Sequence, residues 1–258
     1  MATLDRQGFE LMLPPRHAGG SLDQDEEWCE VEVDGERRRI RFHDYAAIYD
    51  VPGLYEHLFG ELLECSSPAI VSDLLCTEVC DAGIDPGSLT VLDFGAGNGM
   101  VGEHLVECGA GSIVGLDLLP EARTAALRDR PGVYVDYLAA DLTDLSGEER
   151  AALEAHRFNA MVCVAALGFG DVPPLAFAEA FNCVSSPGWV AFNIRERFVD
   201  DEDPAGFGAF IARMLDEGVL EEHARISYTH RISVAGEPLT YIALVATKRR
   251  DVPLEWAR

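Results

Sequence analysis

The sequence has no apolar run of the roughly 18–20 residues that span a bilayer, no C-x-x-C pair, and little positive charge. The first absence argues against a membrane-spanning helix. The second argues against a zinc ribbon or a redox dithiol. The seven cysteines are odd in number and scattered along 258 residues, so reduced thiols in a cytoplasm are expected. Only 20 Lys and Arg oppose 45 Asp and Glu, a net charge of −25. That balance disfavours nucleic-acid backbones and anionic membranes, which need clustered bases. An acidic field would favour a cationic substrate, but a proteome-wide bias or solubility effect is the plainer explanation. The N-terminal "MATLDRQGFELMLPPRH" lacks the basic start and apolar stretch of a secretory leader. No His/Cys/Asp/Glu set has metal-ligand spacing and no G-x-S-x-G elbow occurs, so no metal site and no serine nucleophile are expected.

What is present divides near residue 85. The first 27 residues are mixed, with "PPRHAGGSLDQDEE" reading as a loop. "EWCEVEVDGERRRIRF" places two alternating runs around Asp34-Gly35, a β-hairpin signal, with Arg37–Arg39 on a solvated strand face. "YAAIYDVPGLYEHLF" is aromatic and broken at Pro52-Gly53. "SSPAIVSDLLCTEVCDAG" opens a helix that Ser67 can cap with Pro68 at its first position, and in it Cys76 and Cys80 read as packing residues. From Leu89 onward short apolar strands alternate with helices. Strands are expected near 89–94, 112–117, 132–137, 159–166 and 188–194. Helices are expected near 99–108, 120–127, 147–156, 173–184 and 205–217. Two long runs, about 221–233 and 239–247, look like an antiparallel pair. Such alternation implies an α/β fold: a doubly wound, mostly parallel sheet covered on both faces.

The first strand–helix turn is "TVLDFGAGNGMVG". Gly97, Gly99 and Gly102 form a literal G-x-G-x-x-G, the spacing of a dinucleotide loop. Counted from Gly95, where the strand ends, the third position is Met100 instead of Gly or Ala. Asp93 beside the loop would repel a pyrophosphate and favour a cation. Asp117, 117 − 99 = 18 residues beyond Gly99, suits a ribose in either reading.

These residues resemble the class I S-adenosylmethionine-dependent methyltransferases, in particular small bacterial ones with an N-terminal extension. "VLDFGAGNG" is similar to their first motif, "IVGLDLLPEA" to the second, "LAADLTDL" to the third, and "AMVCVAALGFGD" to the fourth strand with its active-site loop. The resemblance covers about residues 85–250 and implies a Rossmann-like sheet of about seven strands with an antiparallel last strand, plus an N-terminal β-hairpin and helical lid. Its boundaries would be an extension over 1–64, a cofactor-binding core over 65–250 and a tail over 251–258. The cofactor would be S-adenosylmethionine. The resemblance gives Asp93 with the loop Gly95, Ala96, Gly97, Asn98 and Gly99 to its methionyl end, and Asp117 to the ribose. Leu118, Asp141 and Leu142 would serve the adenine, and Val164 the fourth-strand end. Tyr49, or else Tyr45 or Tyr55, would close over it.

Plainer roles compete with some of these. Asp117 suits a helix cap, Asp141 a turn with Thr143 and Asp144, and the tyrosines ordinary packing. Candidate catalytic residues are Asp171, His57 and His43, and Arg195 and Arg197 would suit a substrate carboxylate. The expected reaction is methyl transfer by in-line displacement to a small-molecule acceptor. An NAD(P)-dependent oxidoreductase and a non-catalytic S-adenosylmethionine-binding protein stand as alternatives. Neither the acceptor atom nor the oligomeric state is legible.

Overall fold

A computed structural model of the chain describes residues 8–15, 22–168, 170–196 and 206–257; Arg197 lies outside them. Two compact units result. One comprises Met1–Ser66 with Thr229–Leu239, the other Ser67–Tyr228 with Thr240–Arg258.

In the first unit β1 (Phe9–Met12), β2 (Trp28–Val33) and β3 (Glu36–Arg41) form an antiparallel sheet in the order β1-β2-β3. The β2–β3 turn is at Asp34 and Gly35, both with positive φ (53° and 81°), as a two-residue hairpin demands. The hairpin expectation is thereby extended: β1 adds a third strand from a stretch read as mixed. Its partner lies some twenty residues on, and local pattern does not report such a pairing. Across β2 and β3, Arg37 pairs with Glu32 at 2.9 Å and Arg39 with Glu30 at 3.1 Å, a solvated ladder. The helix α1 (Tyr45–Tyr49) and a π-helical segment, Glu56–Leu62, follow. Ile48, Leu54 and Leu58 pack with Leu11, Val31, Ile40 and Phe42 in this unit's core. Beside that core lies a buried ion pair. Glu27 accepts from Arg231 Nη2 at 2.5 Å and from the Val234 amide at 2.6 Å, so each carboxylate oxygen has a partner.

The second unit opens with α2 (Ser67–Asp81). Then come β4 (Thr90–Phe94), α3 (Met100–Glu107), β5 (Ser112–Asp117), α4 (Pro120–Asp129) and β6 (Asp136–Ala139). The chain continues with α5 (Gly147–Ala155), β7 (Ala160–Cys163), α6 (Pro174–Asn182) and β8 (Gly188–Arg195). It closes with α7 (Phe207–Asp216), β9 (Leu220–Ile232) and β10 (Pro238–Lys248). The sheet order is β6-β5-β4-β7-β8-β10-β9. β4 to β8 pair in parallel, and β10 runs antiparallel to β8. The order reverses at β4, so the loop after β4 sits at the switch point where ligands bind in such sheets.

Alternation along the parallel strands feeds two cores, one per face. Leu92, Val114, Met161 and Phe192 fill one; Val91, Ile113, Val162 and Ala191 fill the other. Both faces are dry, which is why these strands read as continuous apolar runs. In α7, Phe207, Phe210, Ile211 and Met214 present a buried stripe at helical spacing. Lys248, the sole lysine of the sequence, is buried. Its ammonium donates to the carbonyls of Phe181 (2.9 Å) and Val184 (2.5 Å) at the C-terminal end of α6, and pairs with Asp251. The last residues are tied down: Leu254 and Trp256 pack on the core, with Arg213 4.0 Å above the Trp256 ring.

Two strands are displaced from their expected bounds. β6 starts at Asp136, after Gly132 at φ 86°, so Tyr134 lies in the loop before it. β7 stops at Cys163, because Ala165 takes φ 56°.

Candidate active site

The glycine loop is held by backbone geometry. Gly95, Gly97 and Gly99 have φ of 75°, 54° and 91°, in the left-handed region that glycine enters without steric cost. The amides of Gly95 and Ala96 both donate to the Leu116 carbonyl, at 2.8 and 3.1 Å, stitching the turn to β5. A Cβ on Gly95 would lie 2.9 Å from that of Ala166, so the loop after β7 rests directly on this glycine. Gly102 has a different purpose. A Cβ there would lie 2.7 Å from the Tyr134 ring, so the third glycine of the literal G-x-G-x-x-G makes room for a tyrosine.

Tyr134 donates to Asp93 Oδ2 at 2.7 Å. Asp93 is 1% exposed, and among the described residues its Oδ1 has no hydrogen-bond partner. Burial pushes this carboxyl up to about 7, the Tyr134 hydroxyl opposing and the charge of Asp117 adding to the rise. The carboxylate thus lies beneath the loop, with one oxygen served by Tyr134. Across the sheet Asp93, Gly115 and Tyr137 share one register row. A Cβ on Gly115 would lie 2.4 Å from the Tyr137 ring, so its absence lets that ring lie on the sheet. Tyr137 then donates to the Gly97 carbonyl at 2.7 Å, and the two tyrosines meet edge to face at 5.2 Å. Neither tyrosine was singled out by the sequence; the only hint was a pair of aromatics next to the second acidic strand.

Asp117 ends β5. Its Oδ2 accepts from the Gly97 amide at 2.9 Å and its Oδ1 from the Leu119 amide at 3.0 Å. Each oxygen keeps a lone pair for a further donor. Burial raises its pKa above the usual carboxylate value, and the backbone amides of Leu119, Gly97 and Leu118 pull the other way. Next to it Leu118 is 59% exposed, an apolar side chain turned to solvent at the rim of the site. Asp141 is exposed and accepts from the Thr143 amide (2.8 Å) and hydroxyl (2.7 Å), so the turn role is real. Leu142 is 2% exposed and belongs to the core. Ala96 and Asn98 are buried in the loop, and the Asn98 carbonyl accepts from Arg130 at 3.1 Å. Val164 is buried in the core at the end of the strand β7. Asp171 is exposed, and Arg195 closes β8 partly buried.

His43, Tyr45, Tyr49, Tyr55 and His57 all belong to the first unit. Rings of Tyr45 and Tyr49 stack at 6.2 Å, Tyr49 and Tyr55 meet at 5.3 Å, and His43 lies 5.8 Å from Tyr45. His57 Nδ1 is 2.8 Å from Glu61, one turn on, and its buried Nε2 has no partner among the described residues.

A buried, half-satisfied carboxylate under a glycine cradle, with a second carboxylate at the next strand end, fits a cationic, phosphate-free nucleoside. The same pair opposes a pyrophosphate. A family profile described as a methyltransferase domain matches residues 62–231, and the chain belongs to that family. It carries a methyltransferase domain on a Rossmann-like sheet. The chain is 35% identical over 150 residues to the ubiquinone biosynthesis O-methyltransferase of Paraburkholderia phytofirmans, spanning 56% of this chain and 61% of that protein. It is 33% identical over 150 residues to the enzyme of that name from Xanthomonas axonopodis, spanning 55% and 58%. The chain thus matches about three fifths of these relatives' length. Among solved structures, the N-methyltransferase NodS of Bradyrhizobium japonicum with S-adenosylhomocysteine superposes with TM-score 0.55 at 14% identity, over 80% of this chain and 97% of that one. That likeness is one of fold. The oxidoreductase reading falls with the family match. Among the described residues no helix is long and apolar enough to cross a membrane.

Proposed function

We propose that the enzyme transfers the methyl group of S-adenosylmethionine to a hydroxyl of a small-molecule acceptor. The observation that carries the cofactor half is Asp117, a carboxylate at the β5 end with a lone pair left on each oxygen. It would accept from two ribose hydroxyls, with Leu118 beside the adenine and Asp141 near its amino group. The backbone of Gly95–Gly99 would cradle the methionyl end. Asp93 would act through its field from beneath the loop. The acceptor half is supported by the relatives, whose names specify O-methylation in ubiquinone biosynthesis. A shorter match, 42% over 52 residues, is to a ribosomal protein L11 methyltransferase of Burkholderia thailandensis, and it makes a protein acceptor the second reading.

When bound, the cofactor supplies a methyl group already activated on a sulfonium. The residues here orient and desolvate; alignment of two bound partners lowers a barrier by roughly 7–11 kcal/mol. A hydroxyl acceptor also needs its proton removed. Seven free thiols suit a reducing cytoplasm. The test is methyl transfer from radiolabelled S-adenosylmethionine to a panel of catechols and phenols, matching amines, and purified ribosomal protein. Label on the phenolic oxygen supports the reading, and label only on amines or protein overturns it.

A further inference from the structure

Asn193 lies in β8 with no exposed surface. Its Oδ1 accepts from the Ala165 amide at 2.6 Å. Its Nδ2 donates to Ser67 Oγ at 3.0 Å and to Tyr228 Oη at 2.7 Å, and those two hydroxyls are 2.6 Å apart. Ala165 is one of few non-glycine residues at positive φ, 56°, a conformation that a side chain disfavours and that persists only when its surroundings impose it. The next residue, Ala166, is the one whose methyl presses on Gly95. A chain of contacts therefore runs from a buried amide on β8, through a strained turn after β7, to the first glycine of the cofactor loop.

We infer that Asn193 is a positioning residue: it holds the Ala165–Ala166 turn in its left-handed form against Gly95, and so sets the shape of the cofactor cradle. A merely space-filling residue at 193 would not need an oxygen aimed at the Ala165 amide or two hydroxyls fixing which way the amide faces. The inference rests on the cofactor lying at the Gly95–Gly99 loop.

The experiment is calorimetric titration of S-adenosylhomocysteine into the full chain and its variants, at a temperature where each is folded by circular dichroism. Asn193→Ala removes the acceptor and should weaken binding at least tenfold. Asn193→Asp keeps an oxygen for the Ala165 amide, and the Ser67 and Tyr228 hydroxyls can turn to donate to it. That variant should stay within threefold of the natural chain. Equal affinity in Asn193→Ala, or equal loss in both variants, would overturn the inference. Should Asn193→Ala not fold, the Ser67→Ala, Tyr228→Phe pair leaves the Asn193 amide unanchored and should weaken binding severalfold; no change overturns it. Asp117→Ala in parallel separates the two ideas. If it binds normally while Asn193→Ala loses affinity and Asn193→Asp regains it, the positioning role stands and the ribose placement fails.

Discussion

The hydroxyl of Tyr134 reaches 2.7 Å from Asp93 Oδ2, joining a loop before β6 to the strand that launches the glycine turn. This contact makes sense of two features of the motif at once. Gly102 is small because Tyr134 occupies the space above it, and Asp93 is tolerated at 1% exposure because one of its oxygens is served. Tyr134→Phe leaves that oxygen unpaired as well. The variant should lose about 1–3 kcal/mol of stability, read from urea unfolding.

Gly102→Ala forces a methyl into the Tyr134 ring and should cost about 1–3 kcal/mol. Truncating the tyrosine relieves the clash. A double-mutant cycle with Tyr134→Ala should therefore show coupling of about 0.5–3 kcal/mol, and additive losses would refute the packing account.

The raised Asp93 value carries a sign that can be checked. Its ordinary value is 3.8 and burial lifts it to about 7, so the folded chain holds this proton more tightly than the unfolded one. The ligand-free protein should then lose stability from this group as pH rises from about 4 to about 7. A cation at the loop favours the carboxylate and lowers its value, so binding expels the proton. Affinity for S-adenosylmethionine should rise with pH and level off above about 7. Titrations in two buffers of different ionisation enthalpy count the released protons, and Asp93→Asn should abolish that part of the release.

Lys248 stabilises the end of α6 by filling the Phe181 and Val184 carbonyls. Lys248→Met preserves much of the stem but strands both acceptors. A loss of about 2–4 kcal/mol in denaturant unfolding is expected, with cofactor affinity unchanged.

Much of the fold was legible because it is local. Continuous apolar strands, the Asp34-Gly35 turn and the Gly95–Gly99 loop each announce themselves within a few residues. Of the candidate site, the sequence showed the parts that sit at or next to a strand end, Asp93 in β4 and Asp117 closing β5. What stayed hidden depends on contacts far apart in sequence. β1 pairs with a strand beyond a long intervening stretch, Tyr134 reaches back to Asp93, and Asn193 meets Ser67 across 126 residues. The burial of Leu142 was hidden too: it follows the turn that Asp141 makes with Thr143, and that turn leaves it in the core.

The cofactor placement is tested most directly by titrating S-adenosylmethionine and NADH separately into the natural chain and into Asp117→Ala. Tight binding of the sulfonium ligand, weakened by about 1–3 kcal/mol in the variant, with no heat from NADH, is the predicted result. Unchanged affinity in Asp117→Ala, or NADH binding in place of S-adenosylmethionine, would contradict it.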